Sequence, residues 1–102
     1  MTKILEKHIQ RDVLHYLKLK KIYCFKLNNA GIYKKSTGSY IPSGIIGLPD
    51  IAAFIGGQVV FFEIKTARGV QSDGQKEFEK ECKKNGIFYK VIRSLEEIMD
   101  YV

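Results

Sequence analysis

A chain of 102 residues, 45% of them hydrophobic, can bury the core of one domain and is too short for two. Seventeen Lys and Arg against eleven Asp and Glu give a formal net charge of +6, which favours a polyanionic partner such as a nucleic acid. Because the sequence has no Trp, no long apolar run and no signal peptide, membrane and secreted classes are not expected, and we expect a soluble intracellular protein.

Periodicity predicts the elements of the first half of the chain. Apolar residues at helical spacing predict a helix over residues 3–20, with Thr2 as its candidate N-cap. A short strand is predicted at 22–27. In residues 28–49, Asn, Gly, Ser and Pro interrupt the spacing of apolar residues, so no helix or strand is predicted there. A connection of this length is either functional or contains an element that the pattern does not reveal.

The second half of the chain has sharper boundaries. Its predicted elements are strands at 51–55 and 59–64, a helix at 72–84, a strand at 87–92 and a terminal helix from 94. Both helices open with a capping box, and Asn85-Gly86 ends the first of them. The whole order is α-β-β-β-α-β-α, which predicts an α/β domain.

The two central strands flank Gly56-Gly57, which predicts a hairpin with a two-residue turn. On that register Asp50 lies opposite Glu63, and Lys65 projects from the same face. The other face is apolar. The face of the carboxylates continues toward the turn through Ala52, Phe54, Val59 and Phe61. We therefore expect a strand pair that is buried on both sides, with a charged cluster at one end.

Two facing carboxylates need a positive partner, and one ammonium cannot satisfy both. Mg²⁺ prefers carboxylate and water oxygens and keeps positions open for phosphate oxygens. The alternative is ordinary: Asp50 begins a strand after Pro49, while Glu63 and Lys65 form a surface pair. The three charges together, at this register, favour a metal site.

Pro49-Asp50 followed by Glu63-Ile64-Lys65 resembles the motif of the PD-(D/E)xK nuclease superfamily. The resemblance extends to "GLPD" at 47–50, "FEIKT" at 62–66, Gly69, Ser72, Gln75 and "EKHIQ" at 6–10. Together these residues resemble the VRR-NUC (virus-type replication-repair nuclease) family, in its stand-alone phage and bacterial form, over nearly the whole chain.

The resemblance implies a fold, a chemistry and a location. The fold is a restriction-endonuclease-like αβββαβ core with an extra C-terminal helix, in which helices flank a central mixed sheet. The chemistry is DNA cleavage that depends on Mg²⁺ or Mn²⁺, with four-way (Holliday) junctions as a substrate class. The location is the cytoplasm of a bacterium or a phage-infected host cell.

Carried over residue by residue, the resemblance makes Asp50 and Glu63 metal ligands, with the backbone carbonyl of Ile64 as a third. Lys65 would either orient the attacking water or stabilise charge on the transition state, and both roles stay open.

Glu6 and Gln75 each have two interpretations. The resemblance assigns both to the active site. Glu6 is also a good first-turn residue of a helix, because it complements the helix dipole. Gln75 is also the N3 residue of a capping box, and the two roles are compatible only if the start of that helix lies against the carboxylates.

Cations and aromatic residues alternate in the long connection, as they do on surfaces that contact phosphates and stack on bases. The candidates for DNA binding are Tyr33, Lys34, Lys35 and Tyr40, with Arg68 beside the carboxylates. A solvated loop is the alternative for the first four. His8 and His15 share one helix face, too far apart to ligate one metal, and we expect that face to be solvated or to contact DNA.

Paired cuts across a junction need two active sites, so a junction-resolving enzyme of this length implies a homodimer. The apolar candidates for its interface are Ile41, Ile45, Ile46, Ile98, Tyr101 and Val102. Two other functions remain open. One is a restriction-like or nicking nuclease acting on duplex or flap DNA, and the other is a catalytically silent DNA-binding module.

Overall fold

The computed structural model describes residues 4–27, 32–34, 38–41 and 47–102. In chain order the elements are α1 (Glu6–Leu19), β1 (Cys24–Lys26), β2 (Ile32–Lys34), β3 (Ser39–Ile41), β4 (Ile51–Ile55), β5 (Gln58–Ile64), α2 (Asp73–Lys84), β6 (Phe88–Ile92) and α3 (Leu95–Met99). The seven predicted elements are present in the predicted order, and two further strands, β2 and β3, lie between the first and second predicted strands. The long connection contains an element that the pattern did not reveal, the antiparallel pair β2–β3.

The main sheet has four strands in the order β1-β4-β5-β6. The first two pairings are antiparallel and the β5–β6 pairing is parallel, so the sheet is mixed. A parallel pair needs a crossover connection, and α2 lies in that connection. The predicted central mixed sheet flanked by helices is therefore confirmed.

Helices cover the two faces of this sheet unequally. One face packs against α1 and α3 in a continuous hydrophobic core. The core consists of Ile9, Val13, Leu17, Ile51, Ala53, Val60, Phe62, Ile64, Ile92 and Ile98. On the other face, Phe78 of α2 contacts Phe61 of β5 and Tyr89 of β6. That second face is also the face of the carboxylates.

The central hairpin has the predicted register. Ile55 pairs with Gln58 and Ile51 pairs with Phe62, so Asp50 and Glu63 come next as the strands separate. Both turn glycines have positive φ, 60° at Gly56 and 78° at Gly57. A two-residue turn of this kind needs that conformation at both positions, and glycine adopts it without steric cost.

One prediction about this hairpin is wrong. We expected both faces to be buried along its whole length, but Phe54 is 49% exposed and Val59 is 45% exposed. Both residues lie at the turn end of the carboxylates' face. The aromatic rings that contact Phe54 belong to Tyr23 and Phe25 of the β1 region, which are exposed as well.

The start of α1 and the proposed dimer interface also differ from expectation. The helix begins at Glu6, and Nδ1 of His8 accepts a hydrogen bond from the N–H of Leu5 at 3.4 Å. Thr2 lies outside the described residues. Ile98 is fully buried in the core and cannot form an interface, whereas Tyr101 is exposed. No described helix is long and apolar enough to cross a membrane.

Candidate active site

The two predicted carboxylates meet where β4 and β5 separate. Glu63 is 1% exposed and forms a side-chain hydrogen bond with Asp50. Oδ2 of Asp50 also accepts a hydrogen bond from the backbone N–H of Ile64 at 2.7 Å. The residue that follows Glu63 in β5 therefore holds Asp50 beside Glu63.

Burial dominates the electrostatics of Glu63. The pKa of the Glu63 carboxyl is raised from 4.5 to about 9. The largest cause is desolvation by burial, and the hydrogen bond to Asp50 and the charge of Asp50 contribute less. Lys65 and Tyr89 oppose this rise without reversing it. The interpretation of Glu63 and Lys65 as a surface pair is thus wrong for Glu63, which lies inside the protein.

Two polar residues that the sequence did not single out support Glu63. The hydroxyl of Tyr89 donates to Oε1 of Glu63 at 3.4 Å, and Nε2 of Gln71 donates to that hydroxyl at 3.2 Å. Burial and the charge of Glu63 raise the pKa of Tyr89 above its ordinary value. The alternation of β6 offered a signal, because Tyr89 pairs with Phe61 and so shares its face with Glu63.

Lys65 lies next to the first helix. Its Nζ is 3.8 Å from Oε1 of Glu6, with the lysine side chain 13% exposed and the glutamate side chain 51% exposed. The backbone N–H of Lys65 donates to the carbonyl of Ile92 at 3.0 Å, which extends the β5–β6 pairing by one residue. The start of α1 therefore lies beside the end of β5, and Glu6 comes within reach of Lys65.

Arg93 holds the turn that follows Lys65. Its Nη1 donates to the carbonyls of Thr66 and Gly69, each at 2.7 Å. Arg68 is exposed in the middle of this turn. The sequence did not indicate the role of Arg93, because a cation at the end of a strand is usually solvated and its acceptors here are backbone carbonyls 24 and 27 residues away.

Gln75 forms the predicted capping box at the start of α2. Its Oε1 accepts from the N–H of Ser72 at 2.8 Å, and its own N–H donates to Oγ of Ser72 at 3.2 Å. The backbone around Gly47 packs directly on this helix start. A Cβ at Gly47 would overlap the backbone of Gly74, and the φ of Gly47 is +85°. The segment leading to Asp50 therefore passes against the start of α2. Because Oε1 of Gln75 is engaged in the capping box, its amide nitrogen is the better candidate for an active-site contact.

The predicted DNA-binding residues of the long connection fall partly outside the described residues. Tyr33 and Lys34 lie on β2, and Tyr40 of β3 pairs with Tyr33 in the backbone register. The side chains of these three residues, and Lys35 as a whole, are not among the parts of the chain that the structure describes. Their proposed contacts with DNA stay a prediction.

The donor set at the carboxylates fits a hard divalent cation. Two adjacent carboxylates, one of them buried, are unfavourable unless they bind a proton or a cation. The raised pKa of Glu63 reflects this, because burial and Asp50 both favour the protonated form. Carboxylate oxygens are the ligands that Mg²⁺ prefers. Within residues 4–27 and 47–102, His, Cys, Asp and Glu form no group of three that could hold a metal. The remaining positions around an ion would therefore belong to backbone, water or substrate oxygens.

The fold agrees with the architecture that the resemblance implied. A mixed four-stranded sheet has helices on both faces, as expected for a restriction-endonuclease-like core, and two acids and a lysine lie where its central hairpin opens.

A solved structure described as a "VRR_NUC domain" has this fold, with a TM-score of 0.72 and 18% sequence identity. The match covers 93% of this chain and 90% of that one. The resemblance that the motifs indicated is therefore confirmed at the level of the fold. No protein-family model matches the sequence, and no curated protein matches it.

Proposed function

We propose that this protein is a DNA endonuclease of the VRR-NUC family, with a PD-(D/E)xK site that works with Mg²⁺ or Mn²⁺. One observation carries the proposal: the buried Glu63 carboxyl lies against Asp50 at the point where the central hairpin opens. Placing a buried acid against a second, partly buried acid costs stability unless something compensates their charges. A bound divalent cation compensates both and supplies the chemistry that the motif implies.

Asp50 and Glu63 would hold the ion, with the carbonyl of Ile64 as the proposed third ligand. When bound, such an ion lowers the pKa of a coordinated water and offsets negative charge on the phosphate oxygens. The protein contributes the placement of the ligands. The N–H of Ile64 holds Asp50, and Tyr89 holds Glu63, so neither carboxylate has to reorient when substrate binds.

Lys65 would act on the phosphate or on the attacking water. Its ammonium is mostly buried beside Glu6, so little water competes for it. In the first role it stabilises charge that develops on a phosphate oxygen, and in the second it orients the nucleophile. Glu6 would then keep the ammonium directed at the site, which gives Glu6 a part in positioning. The free amide nitrogen of Gln75 and the exposed Arg68 are proposed to contact the substrate.

The substrate class proposed is branched DNA, with four-way junctions first, and the active form proposed is a homodimer. Duplex and flap DNA remain the second candidate class. Cleavage of a labelled panel of junction, flap, duplex and single strand, in Mg²⁺ and in EDTA, would separate these substrates. Analytical ultracentrifugation with and without DNA tests the dimer, and a monomer under all conditions would favour nicking over resolution.

Substitution of Asp50 tests the proposal most directly. In Asp50→Asn the amide oxygen can still accept from the N–H of Ile64, while one of the two carboxylates proposed to hold the ion is lost. We expect cleavage to fall at least about 100-fold. We also expect the variant to be no less stable than the wild type in EDTA and to lose much of the stabilisation by millimolar Mg²⁺.

The matched control is Asp100→Asn, which makes the same chemical change at the exposed end of α3. It should cleave normally and keep its response to Mg²⁺. If Asp50→Asn cleaves at the wild-type rate, or is clearly destabilised in EDTA, the metal-site interpretation fails. Metal-independent DNA binding with no cleavage by the wild type would instead identify a silent DNA-binding module.

A further inference from the structure

A groove of about 410 Å³ lies between α1 and the edge strand β1. Its polar lining residues are Lys7, Gln10, Arg11, His15, Lys18 and Lys26. Four of these carry a permanent positive charge, and none of the lining residues carries a carboxylate. We call this feature the basic groove.

The basic groove concentrates the positive charge of the chain. Residues 4–27 contain six Lys and Arg and two Asp and Glu, a net charge of +4. By contrast, α2 contains four of each and is neutral. Residues 4–27, the segment that contains α1 and β1, therefore carry +4 of the net charge of +6 of the whole chain.

This clustering costs stability unless an anion binds. Lys7 and Arg11 are one helical turn apart on α1, and like charges at that spacing repel. Arg11 has an ion pair with Asp12, but both side chains are exposed, with Nε and Oδ1 3.3 Å apart, and such pairs contribute little. A polyanion lying in the basic groove would attract each of these cations and so offset their mutual repulsion.

Both walls of the basic groove begin at the candidate active site. On the helix side, Glu6 precedes Lys7 and lies 3.8 Å from Lys65. On the strand side, Lys26 precedes Leu27, whose N–H donates to the carbonyl of Asp50 at 2.8 Å. From Lys7 the cations continue along α1 to Lys18, a distance of about 16 Å at 1.5 Å per residue. That length matches about five phosphates of one DNA strand, spaced at about 3.4 Å along the duplex axis.

We propose that the basic groove binds the phosphate backbone of the DNA strand that leads away from the scissile phosphate. The proposal rests on the nuclease function proposed above and adds to it the path of the substrate. The four cations are exposed, so they can contact phosphates without first leaving a buried partner. Contacts of this kind position the DNA and raise affinity without reading its sequence.

The test replaces Lys7, Lys18 and Lys26 together by Gln. The matched control replaces Lys80, Lys83 and Lys84 by Gln, which removes the same charge from the end of α2 far from Gln75. Binding of a labelled 20-base-pair duplex and of a 20-base single strand is measured in EDTA across a salt series. A third variant with Arg at positions 7, 18 and 26 keeps the charge, and thermal unfolding checks that every variant is folded.

We expect the groove variant to bind at least about tenfold more weakly and to lower the salt slope by about two to three units, about 0.9 per phosphate contact. The Arg variant should bind as the wild type does, and the α2 control should change the slope by less than about one unit. In a cleavage assay the groove variant should show a raised KM with an unchanged kcat.

Equal effects of the groove and control variants would overturn the proposal, as would a loss of kcat with unchanged binding. Because binding is measured without metal, this failure is distinguishable from failure of the nuclease function, which appears as absent Mg²⁺-dependent cleavage by the wild type.

Discussion

The two ends of the β4–β5 hairpin share one face of the sheet, yet their surroundings differ. At the open end, Glu63 is buried and hydrogen-bonded to Asp50 and Tyr89. At the turn end, the apolar residues Phe54 and Val59 are about half exposed. The charged residue is thus inside and the apolar residues are partly outside, which is the reverse of the usual distribution.

The position of α2 explains this reversal. Phe78 of α2 packs on Phe61 and Tyr89, and the segment at Gly47 lies against the start of the same helix. The helix thus covers the β5–β6 half of this face and leaves the rings beside β1 exposed. Burial of an acid is unfavourable, so a fold that buries Glu63 while leaving Phe54 exposed gives up stability at the place where we propose the chemistry. Four substitutions test this contrast, each paired with its counterpart elsewhere.

The largest expected effect is on stability, from Gly47→Ala. The new Cβ would overlap the backbone of Gly74, and the positive φ adds strain, so we expect a loss of roughly 3–5 kcal/mol in the free energy of unfolding. The counterpart is Gly57→Ala at the turn end, which also has a positive φ but has open space around it. It should lose only about 1–2 kcal/mol. Equal losses in urea denaturation would show that the α2 contact is unimportant.

The next effect is the pH dependence of stability in EDTA. The folded-state pKa of Glu63, about 9, lies above the unfolded value of 4.5, so the folded protein keeps a proton that the unfolded chain releases. The contribution of Glu63 to stability is therefore full below about pH 4.5 and declines as the pH rises toward 9. The decline is at most about 1.4 kcal/mol per pH unit for one proton.

The variant Glu63→Gln keeps the size of the side chain and cannot ionise. The stability of this variant should not fall with pH in this way, so it should improve steadily relative to that of the wild type between about pH 5 and about pH 8.5. Urea denaturation across that range measures the difference. Glu97→Gln on α3 is the counterpart and should follow the wild type. Parallel curves for the wild type and Glu63→Gln would contradict a buried, protonated Glu63.

A smaller effect is expected from Tyr89→Phe. The change removes the hydroxyl that donates to Glu63 and accepts from Gln71. We expect cleavage to fall about tenfold, because partners that orient a metal ligand contribute on that scale, and stability to fall by about 1 kcal/mol. Tyr101→Phe makes the same change on an exposed ring that packs against Phe88, and it should lower neither the cleavage rate nor the stability. Unchanged cleavage by Tyr89→Phe would remove the tyrosine from the site.

The smallest effect is expected at the turn end. Phe54→Thr introduces a β-branched residue, which is well tolerated in strands, and removes a ring that stacks on Tyr23 with centroids 5.1 Å apart. Because that ring is half exposed, we expect a loss within about 1 kcal/mol and normal cleavage. Phe61→Thr removes the ring that contacts Phe78 and should cost about 2–3 kcal/mol. A larger loss at position 54 than at 61 would show that the exposed end is the more tightly packed one.

Local patterns in the sequence predicted most of the fold. The capping box at Ser72 and Gln75, the stop at Gly86 and the turn at Gly56-Gly57 are interactions between residues close in the chain, and all are present in the structure. The hairpin β2–β3 was not predicted, because its strands are three residues each and too short to show a period.

The residues of the candidate site likewise fall into those that local sequence patterns predicted and those that they did not. The pairing of Asp50 with Glu63 follows from turn length and register alone, and Lys65 follows from the alternation of a strand. Tyr89 and Arg93 reach the site across 24 to 27 residues, and Gln71 reaches it through Tyr89, 18 residues away. The contacts of Tyr89 and Arg93 exist because β6 pairs in parallel with β5, which places the ends of the two strands at the same edge of the sheet.

The order of the predicted elements, the register of the hairpin and the three charges at its open end could therefore be read from local sequence. Those features depend on backbone geometry over a few residues, which side-chain chemistry specifies directly. The burial of Glu63, the exposure of Phe54 and the groove that the cations of α1 line beside β1 became visible only in the folded chain. Burial depends on which helix covers which half of a sheet. The position of each helix depends on packing across the whole core, because an apolar face is buried only where another apolar surface packs against it.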